Sequence, residues 1–71
     1  MEGLTDKQKI CLDKIIKLKQ DKGIPPTLRE LSAELNLTVA GVLLHIRALV
    51  KKGYIQYSKG LSRSIVVIKL P

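Results

Sequence analysis

Arg47 and Lys51 stand one helical turn apart, and the run Lys59-Gly60-Leu61-Ser62-Arg63 brings two more cations and a hydroxyl a short way downstream. Such groups hold phosphate oxygens, by charge and by hydrogen bonds that fix orientation without reading a base. Exposed helix positions often carry solvated charge as well, so the phosphate reading, which is favoured here, depends on what presents them. Lys7 and Arg29 raise a related point. Each lies close to a helix start, where a cation opposes the local dipole, and each therefore suits either an external anion or plain solvation. Catalytic chemistry has little footing. With one His, one Cys, no Cys or His pair at metal spacing, no Gly-rich phosphate loop and no nucleophile beside a recognisable base, no enzyme activity, metal or cofactor is expected.

Thirteen Lys and Arg against six Asp and Glu leave a net charge of +7. That balance favours a polyanionic partner, either nucleic acid or an anionic membrane surface. The longest apolar run, Val39 to Leu44, is far below the ~20 residues of a membrane span, and the N-terminus lacks a signal-peptide pattern. A cytoplasmic protein that does not engage a membrane is expected. Cys11, a lone cysteine, forms no internal disulfide and reads as a small core residue. Residues 1–71 suffice for one domain with a single core and no deep cleft.

The elements that must position the cations are marked by local chemistry. Thr5 with Gln8, and Thr27 with Glu30, are capping-box pairs in which the Thr oxygen takes an orphan backbone N–H while the third residue reaches back. Cys11, Ile15 and Leu18 give helical periodicity to a first helix of roughly 6 to 21, ended by "KGIPP". A short second helix follows from Leu28 to Leu35. Thr38 is an N-cap for the third, with Leu37 placed to staple onto Val42. In projection Val42, Ile46 and Leu49 face inward, Val39, Val50 and His45 lie at the edges, and Ala40, Leu44, Arg47 and Lys51 point outward. His45 is expected to pack, and Lys14, Lys17 and Lys19 to form the wet side of the first helix. Gly53 closes the third helix; "YIQYS" and "SIVVIKL" read as strands around the loop "KGLSR", where Gly60 is free to take positive φ. Three helices followed by a two-stranded hairpin, mainly α, is the winged helix-turn-helix order.

"LTDKQ", "GIPPTLRELSAEL", "HIRALVKKGYI" and "GLSRSI", in this order and spacing, resemble the N-terminal DNA-binding domain of the LexA repressor family, from Leu4 to about Leu70. The resemblance implies a repressor domain that binds double-stranded DNA at operators upstream of damage-response (SOS) genes, with the third helix in the major groove and the wing on the backbone. Ser62 and Arg63 match the wing motif. The family's proteins continue into a self-cleaving peptidase domain that also dimerises; without it, a monomer or weak self-associate is expected. Compared with the best-known family pattern the turn before the third helix is one residue shorter, and Ala40, Leu43 and Leu44 occupy positions where polar side chains read bases. Of the group only Thr38 keeps a hydroxyl.

Three readings of the apolar strip Ala40, Leu43, Leu44 stay open on the sequence. It meets thymine methyls in a major groove; or Leu43 and Leu44 bind a protein partner or a second copy, making the domain an interaction module such as an anti-repressor or repressor partner; or the short turn rolls Leu43 or Leu44 into the core. The expected DNA-binding set is Thr38, Ala40, Leu43, Leu44, Arg47, Lys51, Lys59, Ser62 and Arg63, with Lys7 and Arg29.

Overall fold

In the computed structural model, which describes residues 3–70, three helices precede a small hairpin: α1 (Asp6–Lys22), α2 (Leu28–Leu35), α3 (Val39–Lys51), β1 (Ile55–Gln56) and β2 (Val66–Val67). Both capping boxes form. Thr5 Oγ1 accepts from the Gln8 N–H at 3.2 Å and Thr27 Oγ1 from the Glu30 N–H at 3.1 Å, and each partner side chain returns to the Thr N–H. Thr38 caps α3 through the Gly41 N–H at 3.0 Å, without a reciprocal bond because the third helical residue is a glycine. A Cβ at Gly41 would stand 3.3 Å from Thr38 Oγ1, so the bare position keeps that cap unobstructed.

The helix ends are as local as the starts. α1 runs one residue past its expected end before Gly23, at φ 76, returns its N–H to the Lys19 carbonyl. α2 ends on Asn36 at φ 55, with the Leu37 N–H on the Ser32 carbonyl at 3.0 Å. This is the tight turn that "NLT" announces. At the end of α3 the Tyr54 N–H reaches the Leu49 carbonyl and the Gly53 N–H the Val50 carbonyl, both at 3.0 Å, with Gly53 at φ 84: a Schellman pair that satisfies two otherwise orphaned carbonyls.

α2 and α3 meet at 106°, within the roughly 90–120° of helix-turn-helix pairs. The angle directs Leu31 of α2, Val42, Ile46 and Leu49 of α3, and Cys11, Leu12 and Ile15 of α1 into one core, each no more than 1% exposed. Ile55 and Ile65 close it from the hairpin side. Burial pushes the Cys11 thiol up to about 11, which keeps it protonated and inert. The three inward residues of α3 follow its projection, and the projected edges also hold: Val39 and Val50 are about 40% exposed and His45 is half-buried. No single helix among the described residues is long and apolar enough to cross a membrane.

The hairpin departs from expectation. Two strands of several residues are predicted, yet only Ile55 pairs with Val67 and Gln56 with Val66. Side-chain bonds replace the ladder toward the tip. Ser64 Oγ accepts the Ser58 N–H at 3.1 Å and shares its proton between the Ser58 and Leu61 carbonyls at 3.0 Å, while at the base the Ile68 and Lys69 N–H groups both turn onto the Tyr54 carbonyl. Serine hydroxyls compete with backbone pairing in this way. The architecture is that of a winged helix.

Candidate nucleic-acid interface

The outward stripe of α3 holds Ala40, Leu44, Arg47 and Lys51, all exposed, with Thr38 exposed at its head. Leu44 is 65% exposed, so the short turn does not roll it into the core. Leu43 differs. It is half-buried and turned toward the wing, where it lines a cleft with Val50, Tyr57, Arg47, Lys51 and Lys59. The strip of three therefore divides: Ala40 and Leu44 crown the helix while Leu43 floors the cleft beside it. Lys59, distant in sequence, joins Arg47 and Lys51 on one cationic rim.

A second groove separates the wing tip from the start of α2. Its lining includes Arg29, Val39, Leu61 and Ser62. Arg29 and Ser62 are both exposed. Lys7 lies elsewhere, in the first turn of α1, near the point where Lys52 Nζ binds Gln8 Oε1 at 2.7 Å and the Gly3 carbonyl at 2.9 Å. That tie joins the end of α3 to the start of α1. Lys14 is also less free than a wet-surface lysine, since its ammonium stands 3.5 Å from Glu34 across the α1 and α2 faces.

Arg63 carries the main surprise. A hairpin tip offers little evident structural use for an arginine, but here the guanidinium lies across the surface onto the start of α2: Nη1 donates to Glu30 Oε1 and to the Pro25 carbonyl, both at 3.0 Å, and Nη2 to Glu30 Oε2 at 3.3 Å. Its backbone takes φ 56, a conformation costly for a non-glycine residue and held here by those bonds. Glu30 also receives Lys22 at 3.1 Å. The Thr27 N–H foremost, then Arg63 and Lys22, lower the Glu30 carboxyl to about 2. One carboxylate thus joins the end of α1, the cap of α2 and the wing.

Charge is distributed unevenly along the chain. Up to Glu34 seven cations face six acids, whereas from Leu35 onward there are six cations and no acid at all. Among the described residues no ion pair involves Arg47, Lys51, Lys59 or Arg29. α3 and the wing thus present nearly unopposed positive potential, suited to a polyanion.

Tyr57, Leu61 and Glu30 are the residues at these surfaces that the motif reading missed. Tyr57 has a signal, because period-two alternation in "YIQY" puts it on the face of the buried Ile55. Glu30 is visible only as a capping residue. Leu61 falls in the loop "KGLSR", which accounts for its 64% exposure at the wing tip but gives no sign that it shares a groove with Arg29.

Residues 1–64 match the family model described as the LexA DNA binding domain. The chain is 42% identical over 69 residues to the LexA repressor of Leptospira biflexa, covering 97% of this chain and 34% of that protein. Against the LexA repressor of Desulfatibacillum aliphaticivorans the identity is 43% over 72 residues, covering all of this chain and 36% of that protein. With the LexA repressor of Thermosipho africanus it is 41% over 71 residues, again covering the whole chain. The chain thus spans about a third of the length of these relatives.

Proposed function

The chain belongs to the LexA DNA-binding domain family, and from that premise we propose that it binds double-stranded DNA sequence-specifically and represses transcription by occupying operators. The observation that carries this reading is the α3 and wing surface, where Arg47, Lys51 and Lys59 share one rim with no acidic partner. α3 enters the major groove with Thr38, Ala40 and Leu44 leading, since the first residues of a recognition helix reach base edges. Arg47, Lys51, Lys59 and Ser62 meet the flanking phosphates. Arg29, on the helix that crosses the backbone, meets another, while Lys7 adds long-range attraction. Arg63 contributes by holding the wing, with three of its five donors engaged by Glu30 and Pro25. The operators are those of damage-response genes, and the site of action is the cytoplasm.

Phosphate binding releases condensed counterions, so the logarithm of the affinity falls linearly with the logarithm of salt. With Arg29, Arg47, Lys51 and Lys59 engaged, a titration of the chain against duplex DNA should show a slope of about −3.6, that is about −0.9 per phosphate. A flat titration between low and moderate salt overturns the reading.

A further inference from the structure

Resting on that DNA-binding reading, we infer that the operator is recognised chiefly through thymine C5-methyl groups, contacted by Ala40 and Leu44 at the head of α3. The argument begins with what the helix lacks. From Val39 to Ile46 no side chain carries an amide, a carboxylate or a guanidinium, and the one polar group, His45, is half-buried on the flank away from the wing. Thr38 Oγ1 accepts the Gly41 N–H as the N-cap, which leaves its methyl and a single O–H donor at the helix head. The bidentate pairs that discriminate bases most strongly in the major groove come from Arg, Lys, Asn or Gln, and α3 offers such groups only at Arg47 and Lys51, in its second half. What the first two turns expose is methyl surface: Ala40, and Leu44 at 65%. Thymine's methyl is the major-groove feature that apolar side chains recognise.

Charge decides between a duplex and a protein as the occupant of this face. Ala40 and Leu44 continue along a single stripe into Arg47 and Lys51, with Lys59 across the cleft, and none of these cations has an acidic partner among the described residues. A protein covering the two apolar residues would have to desolvate or neutralise all three charges. A duplex supplies the methyls and, beside them, the phosphates.

The test uses duplexes recovered by the chain from a random pool, resynthesised with deoxyuridine for thymidine. That change removes only the C5-methyl and leaves every hydrogen-bonding edge in place. Each contacted thymine should contribute about a fourfold loss of affinity when replaced, the size expected for one buried methyl. Leu44→Ala should then bind the thymidine and deoxyuridine forms about equally at the position it had contacted. Equal binding of both forms by the unaltered chain overturns the inference, as does a recovered site with no A·T pair, and in both cases the sequence-specific DNA reading stands; a pool that yields no preference, with salt-dependent duplex binding intact, overturns the inference together with the sequence specificity of the proposed function. Absence of any duplex binding at low salt overturns both. If Leu44→Ala instead dissolves a dimer seen by sedimentation and leaves the thymidine preference intact, the strip is a self-interface and the inference falls.

Discussion

Arg63 reaches back 33 residues to grip Glu30, Nη1 on Oε1 at 3.0 Å and Nη2 on Oε2 at 3.3 Å, so the wing is latched to the first turn of α2. A guanidinium fork on a carboxylate fixes orientation as well as distance, which a lysine at the same place does not. The hairpin itself is only two residue pairs long and is marginal by its own hydrogen bonding. The position of the wing therefore depends on this pair together with the core packing of Ile55 and Ile65.

The latch makes stability sensitive to acid. Glu30 is held near 2 in the folded chain, below its ordinary 4.5, because its charged form is hydrogen-bonded by the Thr27 N–H, Arg63 and Lys22. A lowered folded value means that the contribution is fully present above about 4.5 and is lost as pH falls toward about 2. Thermal melts across that window should show Glu30→Gln less stable than the parent near neutrality and the gap narrowing with acid. A gap constant with pH contradicts the assignment.

Arg63→Ala should weaken binding to all duplexes by a similar factor while leaving the salt slope unchanged, because the variant loosens the wing without removing a phosphate contact. A slope shallower by about 0.9 would instead put Arg63 on a phosphate. Arg63→Gly should be the more stable of the two variants by about 1 kcal/mol, since glycine adopts positive φ without strain. Urea titration measures the difference.

Leu44 and Ile46 lie two residues apart on opposite sides of α3, one 65% exposed and the other fully buried. Ile46→Ala should cost about 2–5 kcal/mol of folding stability, through lost burial and the cavity left behind. Leu44→Ala should change stability by no more than about 0.5 kcal/mol. Parallel urea melts of the two variants check both values.

Thr27→Ala removes the acceptor for the Glu30 N–H in a half-buried capping box. A loss of about 1 kcal/mol is expected, with ~2 kcal/mol as the upper bound. Amide exchange should locate that loss in α2 and the wing, because the box and the latch share Glu30.

The three helices, their caps and the buried face of α3 were legible in the sequence because the forces that specify them act over a few residues. Thr27 and Glu30 meet within one turn, Gly23 and Gly53 take positive φ directly beyond their helices, and Val42, Ile46 and Leu49 recur at helical spacing. The β-branched and aromatic runs on either side of Gly60 made the wing legible as well, and the excess of Lys and Arg pointed to a polyanion. Tertiary structure alone decided that Leu43 turns toward Tyr57, that Lys59 joins Arg47 and Lys51, and that Arg63 serves Glu30, while Leu44 keeps its projected outward place. Each depends on where the wing folds against α2 and α3. That placement is set by the shared core, through Ile55 and Ile65, and by one ion pair across 33 residues, neither of which leaves a periodic or short-range signal.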